Sequence, residues 1–82
     1  MRKGTSGEPL HNARRLLAEN IRALRAEKGW SQEDLALEAE VHRTFVAHVE
    51  REARNISLDN IEKLAKAFDV PVFQLLRPKT DS

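Results

Sequence analysis

Residues 29–51 read Gly29-Trp30-Ser31-Gln32-Glu33-Asp34-Leu35-Ala36-Leu37-Glu38-Ala39-Glu40-Val41-His42-Arg43-Thr44-Phe45-Val46-Ala47-His48-Val49-Glu50-Arg51, and the fold turns on this stretch. Gly29 follows Lys28 and reads as the left-handed residue that stops a preceding helix. Ser31 offers a hydroxyl to cap the next helix, and Asp34 stands at the third position to answer it, a capping-box pattern. Leu35, Ala36 and Ala39 give that helix a small buried face, and the alanines let a neighbouring helix approach closely. A turn around Glu40 and Val41 leads to a third helix, roughly His42 to Arg51, with Val46 and Val49 facing inward. The pattern predicts two short helices joined by a tight turn, the second presenting polar side chains outward.

Working outward, a helical period runs from Pro9. Leu10, Leu17, Ile21 and Leu24 fall on one stripe, while Arg14, Arg15, Glu19, Arg22 and Glu27 mostly face away. Residues 1–8, rich in Gly, Ser and Thr, read as a flexible tail. On the other side, Glu52 to Ile56 reads as a loop. Ser57 caps a fourth helix, where Leu58, Ile61, Leu64, Ala65 and Phe68 repeat at helical spacing. Asp69 and Val70 break it, and Pro71 suits the first turn of a short fifth helix carrying Val72, Phe73, Leu75 and Leu76. No stretch alternates as a strand does. The expectation is an all-α, five-helix domain over residues 9–77, with a C-terminal tail at 78–82.

Composition narrows the function classes. Eighty-two residues hold one domain, and 33% charged with 40% hydrophobic residues fits an ordered globular chain. With no cysteine there is neither a disulfide framework nor a thiolate metal site. No apolar run is long enough to span a bilayer, and residues 1–7 lack the apolar stretch of a signal peptide, so a cytoplasmic location is expected. His11, His42 and His48 do not form the i, i+4 ligand pair of a helical zinc site, and no glycine-rich phosphate loop or paired nucleophile and base is present. Hence no metal, cofactor, small-molecule ligand or enzymatic activity is expected. The net charge of +1 does not itself point to nucleic acid, whose binders usually show a basic excess. The positions of the charges have to carry that argument.

A helix presented after a tight turn is a means of entering the major groove, and here Arg43, Arg51 and Arg54 cluster around it. The chain resembles the lambdoid phage repressor and Cro family (XRE-type) in Ile21-Arg22-x-Leu24-Arg25, Gly29-x-Ser31-Gln32-Glu33-Asp34-Leu35-Ala36, Val41, Val46-x-x-Val49-Glu50 and Leu64-Ala65-x-x-Phe68-x-Val70. The likeness runs over about residues 16–76 with helix spacing kept. Within the family, His42-Arg43-Thr44-Phe45, Glu50-Arg51 and Arg54-Asn55 look most like the controller proteins of restriction–modification systems, small dimeric regulators without a ligand-binding domain. The resemblance implies a repressor-like, sequence-specific regulator of transcription whose third helix reads operator DNA. Two features depart from it: Glu40 stands where the turn commonly has glycine, and His42 stands at a cap position where Ser or Thr is stronger.

Side-chain chemistry suggests a role for each candidate. Arg43, near the start of the third helix, can fork onto O6 and N7 of guanine, a contact contributing roughly 1–3 kcal/mol of discrimination. Thr44 offers a hydroxyl and a methyl, which suit a mixed polar and thymine-methyl contact. Phe45 is either core beside Val49 or an exposed ring against thymine methyls or a flexible base step; the resemblance favours the second, although the ring there usually carries a hydroxyl. His48, one turn beyond Thr44, faces base or phosphate, or is a surface residue with no duty. Gln32, at the start of the second helix, can grip a phosphate beside backbone N–H groups. Arg51 and Arg54 border the face as phosphate ligands, to which the resemblance adds a base contact for Arg54, and Asn55 is grouped with them as a phosphate contact. The resemblance pairs Arg25 with Glu50 in a largely buried salt bridge that orients the third helix. Trp30 is expected in the core near the first turn.

One helix reads too few base pairs for operator-level specificity. Two-fold pairing doubles the site and sets the recognition helices about 34 Å apart. Val72, Phe73, Leu75 and Leu76 exceed what one short helix buries in its own domain, which makes them the expected homodimer surface. The rival expectation is an interaction-only protein that kept the fold and lost base reading.

Overall fold

The computed structural model describes residues 12–53 and 55–78. Helix α1 spans Ala13–Lys28, α2 Gln32–Ala39, α3 Arg43–Glu50, α4 Leu58–Phe68 and α5 Val72–Leu75; no strand occurs among the described residues. The expected tail 1–8, the residues Pro9 to His11 and the end of the chain from Lys79 lie outside the described part. Asn12 is non-helical and its side chain accepts the Arg15 backbone N–H at 3.2 Å, so α1 starts at Ala13 rather than at Pro9.

Each helix boundary has a local cause. Gly29 adopts φ 71° and ψ 27°, and Gly29 and Trp30 return their backbone N–H groups to Ala26 and Arg25. In α2 the Ser31 hydroxyl accepts from the Asp34 backbone at 3.0 Å while the Asp34 carboxylate accepts from the Ser31 backbone at 2.9 Å. Glu40 closes α2 in left-handed geometry, φ 60°, a conformation that costs a residue with a Cβ about 1–2 kcal/mol. His42 then precedes α3 without making any side-chain cap bond. Ser57 caps α4 on Asn60 at 3.3 Å. Pro71 is extended, ψ 157°, and stands just ahead of α5 rather than within its first turn. Its fixed φ suits that cap position equally well.

The core gathers Leu17 and Ile21 of α1, Leu35, Ala36 and Ala39 of α2, Val46 and Val49 of α3, Leu64, Ala65 and Phe68 of α4, and Leu75 of α5. α2 packs on α3 and α4, and α1 on α3 and α5. Trp30 stacks on Phe68 with ring centroids 5.5 Å apart, which closes the core beside the α1–α2 turn. Two expectations need correction. Leu58, which repeats at helical spacing with the core residues of α4, is 63% exposed, because it is the first residue of the helix and lies ahead of the packed turns. Leu75, read as part of a surface patch, is fully buried: it is the plug that fixes α5 to the domain.

Candidate nucleic-acid interface

Helix α3 has an anchored side and an open side. On the anchored side the Glu50 carboxylate accepts Arg25 Nε at 2.7 Å and Arg25 Nη2 at 3.0 Å, a bidentate pair between α1 and α3. Gln32 Nε2, from α2, donates to the same carboxylate at 3.1 Å. The backbone carbonyl of Glu50 accepts Arg22 Nη1 at 2.6 Å, placing a cation against the C-terminal end of the α3 dipole. Arg25 also donates to the Trp30 carbonyl at 2.9 Å. Four donor nitrogens from three side chains on two helices thus converge on the last residue of α3. The Glu50 side chain is only 6% exposed and that of Arg25 20%. The hydrogen bond to Glu50 holds the Arg25 guanidinium above its already high arginine pKa, against the opposing effect of burial.

On the open side, Arg43, Thr44, His48 and Arg51 are all exposed. Thr44, His48 and Arg51 recur at helical spacing and Arg43 adjoins Thr44, so one outer face holds a guanidinium at each end with a hydroxyl and an imidazole between. Donors of this kind on a rigid helix can address both base edges and phosphates. Phe45 is half-buried and packs against the core, so of the two uses left open for it the packing one is observed.

The structure redistributes the other candidates. The Gln32 carboxamide was expected to meet a phosphate, but one of its protons is committed to Glu50. Gln32 therefore joins the bracing of α3. Asn55 is exposed in the loop before α4, with φ 59°. It shares a cleft with Arg14, Leu17, Ile61 and Leu76 rather than with the outer residues of α3. Arg54 lies outside the described residues. Of the four residues read as a pairing surface, Phe73 is 67% exposed, Val72 and Leu76 are half-buried, and Leu75 belongs to the core.

Sequence reasoning missed the role of two residues. Arg22 was placed on the solvent side of α1 by its helical period, yet its long side chain reaches the end of α3. Asn20 drew no attention, and its amide donates to the carbonyls of Leu75 and Arg77. No local signal marks either bond, since each joins residues far apart in the chain. Among the described residues, no group of three or more His, Asp or Glu side chains is placed to hold a metal, and no helix is long and apolar enough to cross a membrane.

Comparison with known proteins adds to this geometry. Residues 21–75 match the family model described as helix-turn-helix. A hypothetical transcription factor of Neisseria meningitidis serogroup B is 52% identical over 65 residues, covering 79% of this chain and 61% of that protein. The match thus spans less than two thirds of that relative's length. Control protein C.BamHI of Bacillus amyloliquefaciens is 46% identical over 67 residues, covering 80% of this chain and 83% of its own. The restriction–modification controller protein C.Esp1396I, solved on a 19-base-pair DNA duplex, superposes with a TM-score of 0.68 at 31% identity, over 78% of this chain and 89% of that one.

Proposed function

The chain belongs to the helix-turn-helix family, and from that premise we propose that it is a sequence-specific regulator of transcription, binding as a homodimer to a two-fold-symmetric DNA operator. The observation that carries this reading is the division of α3. Its C-terminal end is braced by Arg25, Arg22 and Gln32 through Glu50, while Arg43, Thr44, His48 and Arg51 stand clear of the core. A helix held that firmly from behind, with forked donors in front, is pre-organised for insertion into a major groove. Arg43 and Thr44 read base edges in this proposal, His48 contacts base or phosphate, and Arg51 contacts phosphate. Gln32 adds to phosphate binding through the backbone N–H groups at the start of α2. Arg54 and Asn55 are assigned further phosphate contacts, Asn55 from a position apart from the outer face of α3. The likeness to C.BamHI and C.Esp1396I favours a controller-type regulator, one that acts without a small-molecule ligand or cofactor. Pairing is assigned to Phe73 with its flanking Val72 and Leu76.

The test is selection. The purified protein is incubated with a pool of random duplexes at near-physiological salt, and the retained DNA is sequenced for the wild type and for Arg43→Ala. A two-fold motif with half-sites about ten base pairs apart is expected, relaxed by the substitution at one position in each half. Retention without sequence preference, or equal enrichment by both proteins, overturns base reading and brings forward the interaction-only alternative.

A further inference from the structure

Helix α5 is a single turn, Val72–Leu75, too short to hold its shape alone. At its two ends Gln74 N–H bonds the Pro71 carbonyl and Leu76 N–H the Phe73 carbonyl, both at 3.0 Å. Beyond it no further turn of helix supplies donors for its last carbonyls. The Leu75 side chain is fixed in the core and Val72 and Leu76 pack partly against it, yet the C-terminal end of so short a turn keeps some freedom to fray. Asn20 of α1 removes that freedom. Its Nδ2 lies 2.8 Å from the Leu75 carbonyl and 2.9 Å from the Arg77 carbonyl, so the two amide protons serve two carbonyls that flank the end of α5. Core plug and amide clamp together set which way Phe73 points.

We infer that Asn20 is a positioning residue for self-association: by clamping the Leu75 and Arg77 carbonyls it holds α5 in the one pose in which Phe73, Val72 and Leu76 form a continuous pairing face. The inference rests on the homodimer reading above and adds its determinant. The physical gain is pre-organisation. A pairing surface built on a frayed turn must be ordered during association, and that cost lowers affinity. Asn20 sits on α1, behind α5 and apart from the outer face of α3, so its effect falls on pairing and not on base contacts.

Asn20→Asp keeps the size and removes both donors, setting a carboxylate against two carbonyl oxygens. Dimer dissociation is measured by sedimentation equilibrium for wild type and variant. Binding is measured on duplexes carrying one or two copies of the half-site enriched in the selection above, and exchange of the Leu76 amide proton is followed by NMR. The expected result is a dimer dissociation constant raised roughly tenfold or more, the scale of lost hydrogen bonds with stranded acceptors. Faster exchange at Leu76, weaker two-site binding and unchanged one-site binding accompany it. If the wild type pairs and the variant pairs equally well, the inference is overturned while the homodimer stands. If the wild type is monomeric at all concentrations, the homodimer reading falls and the inference with it. Should the variant lose helical content, Asn20→Ser, which retains one donor and adds no charge, is judged by the same criterion.

Discussion

Arg25 lays its guanidinium along both carboxylate oxygens of Glu50, at 2.7 and 3.0 Å, and so ties the last turn of α1 to the last residue of α3. Neither group is well placed to return to water, since the Glu50 side chain is 6% exposed. Glu50→Leu alone strands the Arg25 charge and is expected to destabilise the fold by about 3–5 kcal/mol. Pairing it with Arg25→Met restores part of that loss. Urea denaturation of the single and double variants measures the difference, and equal stability of wild type and Glu50→Leu contradicts the structural role.

The same pair has a pH signature. Folding raises the pKa of Arg25 through its bond to Glu50, so the folded state binds its proton more tightly than the unfolded state does. The resulting stabilisation is complete below the ordinary arginine range and is lost only as pH climbs through the raised folded value. The stability gap between wild type and Arg25→Met is therefore expected to stay constant from about pH 7 to about pH 10. A gap that closes within that interval contradicts the assignment.

Arg43 and Arg51 lie at opposite ends of the open face of α3, and they are expected to fail differently. Arg43→Ala lowers discrimination at one position per half-site by roughly 1–3 kcal/mol. Arg51→Ala weakens binding to all sequences alike and lowers the salt dependence by about one phosphate contact. Titrations at several salt concentrations on matched and mismatched duplexes separate the two outcomes.

Glu40 occupies left-handed backbone at φ 60° and is exposed. Glu40→Gly relieves that conformation and is expected to stabilise the domain by up to about 1 kcal/mol, the relief being partly offset by the greater freedom of the unfolded chain. Thermal melting measures it. A lower melting temperature indicates that the glutamate makes an interaction of its own.

Leu75 and Phe73 are two residues apart and opposite in kind, one fully buried and the other 67% exposed. Leu75→Ala is expected to cost about 2–5 kcal/mol of folding stability. Phe73→Ser is expected to leave monomer stability nearly unchanged and to abolish pairing in sedimentation. Reversed effects would exchange their roles.

The helices were legible where the sequence states its boundaries locally. Gly29, the Ser31 and Asp34 box and Ser57 act within a few residues of themselves, and each does in the structure what its chemistry suggests. The start of α1 was misjudged because a helical period marks a face and not an end; Asn12, a capping residue within the pattern, held the better signal. Leu58 and Leu75 show the other limit. Hydrophobicity says that a side chain prefers burial, but only the packing of α5 on α1 and α4 decides which residue reaches the core. On the open side of α3, the exposed residues followed directly from their spacing. Gln32 and Arg22 did not, because a long polar side chain reaches well beyond the face its Cα marks.

The bracing of α3 is concentrated at one end. Glu50 collects every side-chain tether described above from α1 and α2 to α3, whereas His42 enters the helix without a side-chain bond and Arg43 and Thr44 stand in the open. The tethered end and the proposed base-reading end are therefore opposite ends of the same eight-residue helix. On the proposed reading, substitutions at Arg43 and Thr44 are expected to alter what is recognised while leaving the folding free energy almost untouched. If α3 reads an operator as proposed, a duplicated copy of this protein can drift toward a new one, residue by residue, without passing through an unfolded intermediate.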